Sequence, residues 1–177
     1  MNPAIDLGPL LVAPTIYVDV RNGIREVLGF PEHRYPLLIG VDGLNGSGKS
    51  SLASWLSWQL EMPAIHLDSF LINNTVPLSI RTADLARVLE ERRLLGRPII
   101  VEGVLLLRVL GELKRAPDFL LFVECEENHT SVIPDVLPYL LEFDPKAKAN
   151  MIVRWSSREY DQATRRANIE SLGSGER

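Results

Sequence analysis

"LLIGVDGLNGSGKSSLASWL", residues 37–56, begins as an apolar run and passes into a loop of glycines, one lysine and two serines. Within it "GLNGSGKS" places Gly43, Gly48, Lys49 and Ser50 at the fixed positions of G-x-x-x-x-G-K-[ST]. Glycines let the backbone enter conformations closed to other residues and aim N–H groups at a phosphate chain. A helix opening near Lys49 adds its positive end at the same point. Gly43, Leu44, Asn45, Gly46, Ser47, Gly48, Lys49, Ser50 and Ser51 are therefore the candidate phosphate cradle. Lys49 supplies a mobile charge for β- and γ-phosphates and Ser50 a hydroxyl for Mg²⁺. A glycine-rich turn can match so short a pattern by chance. The apolar strand before Gly43 and the helical pattern of "SSLASWLSWQL" after it supply the context that the phosphate reading requires. Trp55 and Trp58 on that helix are read as core and surface packing.

Outward from this loop, runs rich in Val, Ile and Leu recur at 37–42, 64–68 ("AIHLD"), 98–103 ("PIIVEG"), 118–125 ("DFLLFVEC") and 150–155 ("NMIVRW"), with helical segments between them. The alternation predicts an α/β fold with a mainly parallel sheet. The clearest helix is 82–95, where Leu85, Val88, Leu89, Arg92 and Leu95 fall at three- and four-residue steps before Gly96 and Pro98. Its stripe is expected to pack on the sheet. A further helix is expected over 19–29, and "SSRE" (156–159) has the form of a capping box opening a polar C-terminal helix, with "GSGER" a frayed tail. There is no repeat and no composition break, so residues 1–177 are expected to form one domain.

The net charge of −4 leaves no broad basic surface for counterion release along nucleic acid, although local basic spots remain open. Cys125 is the only cysteine, which excludes an internal disulfide and a cysteine-built zinc site and fits a reducing compartment. "GVLLLRVLGEL" is broken by Arg108 and too short to span a bilayer, and the N-terminus has no basic leader. A cytoplasmic location, no nucleic acid and no membrane association are the expectation.

In parallel α/β sheets, ligands sit beyond the carboxyl ends of the strands. Asp68 closes "AIHLD" and Glu102 closes "PIIVE", each on a strand expected to neighbour, in the sheet, the one that feeds the phosphate loop. A carboxylate there can take a proton from an attacking hydroxyl or hold Mg²⁺ through water. It can also be a charge where a strand meets solvent; the neighbouring phosphate loop favours the functional role. His66 is read as a satisfied core histidine. His33 and His129 lie in expected loops without metal-ligand spacing around them.

Taken together, "GVDGLNGSGKSSLA", "HLDSF" and "IIVEGVLLL" resemble the uridine kinase group of P-loop kinases, and "VLPYLLEFDPKAKANMIVRW" is loosely similar to that family's closing helix, proline and last strand, with Asn150 where Asp is common. The resemblance covers most of residues 37–155. It implies a three-layer P-loop fold with a five-stranded parallel sheet of order 2-3-1-4-5. It also implies ATP and Mg²⁺ as cofactors, a small-molecule hydroxyl as acceptor, Asp68 as general base, Glu102 assisting the metal together with Ser50, and Lys49 at the phosphates. No N-K-x-D or L-S-G-G stretch points instead to a GTPase or an ABC-type motor.

Two departures bear on activity. The stretch after the second motif, "LINNTVPLSIRTADLARVLEERRLLGRP", supplies little beyond a loop and one helix where the family carries an acceptor-binding insertion. Residues 126–145, where the family carries an arginine-rich lid, contain neither Arg nor Lys. Arg81, Arg154 and Arg158 are the candidates to replace the lid, Arg154 being read first as an exposed strand-end residue. A second subunit or a partner protein could also supply the missing arginine. The expectation is a kinase with an unspecified small acceptor; the alternative is an ATP-binding protein with little or no transfer activity.

Overall fold

The apolar runs form strands where the pattern places them, and the helical segments return the chain so that every strand runs the same way. The computed structural model describes residues 14–72, 75, 77–126 and 134–156. The elements are α1 (Thr15–Leu28), β1 (Leu38–Gly43), α2 (Lys49–Leu60), β2 (Ala64–His66), α3 (Thr82–Leu94), β3 (Ile99–Glu102), α4 (Leu106–Glu112), β4 (Phe119–Cys125), α5 (Val136–Phe143), α6 (Pro145–Lys148) and β5 (Met151–Trp155). The five strands pair in parallel in the order β2-β3-β1-β4-β5, as the resemblance implies. The register sets Val41 beside Glu102 and His66 beside Glu102 on the other flank, so three strand ends meet at one level.

Strand side chains alternate between two cores, as a two-residue period demands. Ile39, Val41, Ile100, Leu121 and Val123 pack with α1 and α2, while Leu38, Ile99, Val101 and Leu120 pack with α3 and α4. On α2, Leu52, Leu56 and Leu60 at four-residue steps are buried against the sheet. Each such side chain contributes about 1.5–3 kcal/mol of hydrophobic stabilisation. Trp55 belongs to this core, its ring tilted against Tyr17 at 5.5 Å, and Trp58 is exposed, the division expected for the pair.

Several boundaries differ from expectation, each for a local reason. Helix α1 begins at Thr15, directly after Pro14, because Tyr17 as well as Val20, Ile24 and Leu28 enters the core. Strand β2 stops at His66, and Asp68 lies in a 3-10 turn over Leu67–Phe70 and does not close the strand. The turn forms because Leu67 packs tightly against Gly103, where a Cβ would fall 2.7 Å from the leucine. In addition, β2 borders β3 and lies one strand away from β1. The stripe on α3 is narrower than its spacing suggests: Leu85 and Leu89 are buried, whereas Val88 and Leu95 are exposed and Arg92 is half-buried at the rim. The expected capping box and C-terminal helix lie outside the described residues.

Candidate functional site

The phosphate loop is fixed from two sides. At Gly43 (φ 148°) a Cβ would fall 2.3 Å from the carbonyl oxygen of Val123, so only glycine lets β1 turn away beside β4. At Gly48 (φ 88°) a Cβ would fall 2.7 Å from Cζ2 of Trp155, the last residue of β5. The Trp155 Nε1–H donates to the Ser47 carbonyl at 2.7 Å, so an indole braces the loop that precedes α2. That brace has no signature in sequence beyond an aromatic residue at a strand end.

Lys49 is buried inside the loop, where its ammonium donates to the Leu44 carbonyl at 2.6 Å. Burial pushes its pKa below the ordinary lysine range, while the carboxylates of Glu102, Asp42 and Asp68 pull it back up. The Ser47 hydroxyl is buried and has no hydrogen-bond partner among the described residues. Ser50 Oγ donates to Glu102 Oε1 at 3.0 Å, and the same oxygen lies 2.7 Å from His66 Nδ1. His66 is therefore satisfied, as expected, but it is half-buried at the site and not a core residue. Among the described residues, no group of three or more His, Cys, Asp or Glu side chains is placed to hold a metal.

This donor set fits a nucleoside triphosphate with Mg²⁺. The loop holds a buried Ser47 hydroxyl without a partner among the described residues and the Lys49 ammonium, donors of the kind that phosphate oxygens accept from. Ser50 and Glu102 present two hard oxygens 3.0 Å apart, and Mg²⁺ takes one or two protein oxygens in company with phosphate oxygens. Asp68 is exposed on its turn, within the electrostatic reach of Lys49. Beside it, Arg81 donates to the Ser69 carbonyl at 2.6 Å.

A second polar pair lies beneath the loop and escapes the motif altogether. Asp42 is buried at the end of β1, where its Oδ1 accepts the Gly43 N–H at 2.7 Å and its Oδ2 accepts the hydroxyl of Tyr139 from α5. The Tyr139 oxygen also accepts the Leu107 N–H at 3.1 Å. Burial pushes the Asp42 pKa up to about 6, against the hydrogen bonds from Tyr139 and Gly43 and the charge of Lys49. Burial and the neighbouring Asp42 raise the Tyr139 phenol above its ordinary range. The sequence signal was a single Asp inside the buried pattern "LIGVDG".

Of the arginines named as lid replacements, Arg154 is exposed and its Nε donates to Glu124 Oε2 at 3.0 Å across β4 and β5, in keeping with a strand-end role. Glu124, which burial alone would push up, is held below the ordinary carboxylate range by hydrogen bonds from Lys146 and Arg154. Arg158 lies outside the described residues, as do residues 127–133 of the arginine-free stretch.

No family model and no curated protein matches the sequence. Among solved structures, a possible uridine kinase from Bacillus stearothermophilus aligns over 78% of this chain and 97% of its own, at 18% identity and a TM-score of 0.56. A sugar kinase from Janibacter sp. aligns over 74% of this chain and 91% of its own, at 18% identity and a TM-score of 0.47. The first likeness, together with the strand order, shows that the fold is that of the P-loop kinases.

Proposed function

We propose that this chain, which has the fold of the P-loop kinases, is an ATP- and Mg²⁺-dependent phosphotransferase that passes the γ-phosphoryl group to a hydroxyl of a small molecule. The observation that carries the reading is the convergence of Lys49, Ser50 and Glu102 at the ends of β1 and β3, with Asp68 in the electrostatic field of Lys49. The loop amides and Lys49 hold the triphosphate. Ser50 and Glu102 would hold Mg²⁺, which when bound offsets charge on the phosphate oxygens. His66, on the same Glu102 oxygen, orients that carboxylate. Asp68, being exposed and not locked into an ion pair, accepts the proton of the acceptor hydroxyl as its oxygen bonds to the γ-phosphorus and the bond to the β-phosphate oxygen breaks, releasing ADP. Arg81, which donates to the Ser69 carbonyl next to Asp68 and faces Asp84 at 4.0 Å, is the cation proposed to meet charge on the transferring group.

A second reading, an ATP-binding protein with little transfer activity, is favoured by one observation: residues 126–145 carry no Arg or Lys, and Arg154 is occupied by Glu124. Arginines over the transferring group are worth roughly 10³–10⁵ in rate in related enzymes. Both readings require the phosphate loop. Calorimetric titration of ATP with Mg²⁺ should show a loss of affinity of about tenfold or more in Lys49→Ala with the circular dichroism spectrum unchanged. Equal affinity in the two proteins sinks both readings. Screening ATP consumption against nucleosides, sugars and small alcohols separates them, and a hydroxyl compound that supports turnover selects the first.

A further inference from the structure

At the opposite end of the sheet, the amino ends of β1, β2 and β3 surround a cavity of about 310 Å³ lined by Arg34, Arg92 and Arg97 together with Glu32, Glu61 and Pro98. Of the other described arginines, Arg81, Arg87, Arg93, Arg108, Arg115 and Arg154 each face a carboxylate, while Arg21 donates to the amide oxygens of Asn22 and Gln59. Among the described residues no carboxylate oxygen lies within 4.0 Å of Arg34, Arg92 or Arg97, even though two glutamates share the cavity wall. Two of the three guanidinium groups are held in place by backbone: Arg34 donates to the Leu60 carbonyl at the end of α2, and Arg92 donates to the Pro98 carbonyl at 3.0 Å. In both, Nε is buried and has no hydrogen-bond partner among the described residues. A buried guanidinium N–H left unpaired is costly, and forked N–H pairs match phosphate oxygens.

We propose that this cavity is an anion site, distinct from the phosphate loop, that takes the phosphate group of a small phosphomonoester bearing hydroxyl groups. Arg34 and Arg92, each tethered to a backbone carbonyl, present their remaining donors, and Arg97 is the exposed member of the lining. Glu32 and Glu61 repel a bare polyanion and accept hydrogen bonds from hydroxyls, which is why the ligand is a hydroxylated monoester and not a polyphosphate. The volume is at the small end of the range for ligand sites. A neighbouring cavity of about 350 Å³ shares Arg97 and is lined also by Lys114 and Asp118.

The test is calorimetric titration of glycerol 3-phosphate into the full chain, with inorganic phosphate and glycerol as companion probes, in the wild type, in Lys49→Ala and in Arg92→Gln/Arg97→Ala. Binding of the ester should be equal in the wild type and Lys49→Ala, about tenfold or more weaker in the double variant, and absent for glycerol. Arg92 supports the Pro98 carbonyl, so Arg97→Ala alone, which removes no side-chain hydrogen bond or ion pair among the described residues, is measured beside it and should weaken binding severalfold. The proposal is overturned if the wild type does not bind the ester, if Lys49→Ala abolishes binding, or if Arg97→Ala leaves it unchanged. The Lys49→Ala arm separates this outcome from the fate of the phosphate-loop reading.

Discussion

At the carboxyl end of the sheet one ammonium, Lys49, sits among Asp42, Asp68 and Glu102, whereas at the amino end Arg34, Arg92 and Arg97 share a cavity with Glu32 and Glu61 and no carboxylate oxygen of the described residues lies within 4.0 Å of their guanidinium nitrogens. The first end is built inward: Asp42 accepts from Gly43 and Tyr139, and Glu102 accepts from Ser50 and lies within hydrogen-bond distance of His66. The second is built outward, the guanidinium groups of Arg34 and Arg92 anchored to carbonyls with donors to spare. A net charge of −4 hides this polarity, because a sum over the chain says nothing of where charges meet. The excess of carboxylate at one end suits a site that takes a divalent cation with its phosphates. The excess of guanidinium at the other suits an anion alone.

The largest effect is expected from Asp68, the one carboxylate of the first end that is exposed. Asp68→Asn should lower transfer to any competent acceptor by about 10²–10⁴ while ATP affinity stays within a few-fold, because the base acts on the acceptor proton and the triphosphate is held elsewhere. Steady-state kinetics and calorimetry on the same preparation check both halves. Turnover at the parental rate would remove Asp68 from the chemistry and leave Glu102 as the functional carboxylate of that end.

A medium effect probes whether the inward network is held by Tyr139. The folded pKa of Asp42 is raised from 3.8 to about 6, so between these values the native state binds more protons than the unfolded chain. Stability from this group is therefore full below about pH 4 and is lost as pH rises through about 6, a change of about 3 kcal/mol. The Tyr139 hydroxyl opposes the rise by donating to the carboxylate. Tyr139→Phe should therefore cost more at pH 8, about 1.5–3 kcal/mol for a hydrogen bond to a charged group, than at pH 4. Urea unfolding at both pH values measures it. The same cost at both would mean that Tyr139 acts only by packing, with Phe143 and Arg108 stacked about it.

The phosphate-loop motif and the alternation of strands and helices were legible because each is local or periodic, whereas the strand order followed only from the family resemblance. Gly43 through Ser50 occupy fixed steps, and the apolar runs are continuous where both faces of a strand are buried. What stayed hidden depends on contacts distant in sequence. Tyr139 and Asp42 are 97 positions apart, and nothing in "VLPYLLEF" distinguishes a tyrosine that reaches a buried carboxylate from one that merely packs. Asp68 was placed on a strand because "AIHLD" is apolar, yet the strand ends earlier, where Leu67 drops against Gly103. Arg92 fell on the stripe expected to meet the sheet; in the fold that position lies at the rim, so its stem is half-buried and its head reaches the Pro98 carbonyl.

The smallest effect concerns Arg97 without any ligand, and it tests the contrast itself. Three like charges around one cavity repel, and the repulsion reaches across about 30 Å at 0.01 M salt but only about 3 Å at 1 M. Removing the exposed member should leave the fold intact and raise the melting temperature of Arg97→Ala by about 1–2 °C at the lower salt, with no difference at the higher. At the carboxyl end Lys49 is disfavoured by burial and attracted by three carboxylates, and Lys49→Ala leaves those carboxylates facing one another, so the variant should melt lower at low salt than at high salt, where their repulsion is screened. Thermal melts of the two variants at both ionic strengths carry the comparison. If Arg97→Ala melts lower at 0.01 M salt, Arg97 is holding Glu32 or Glu61 in solution, and the amino end is neutralised as Arg93 and Arg115 are by Glu90.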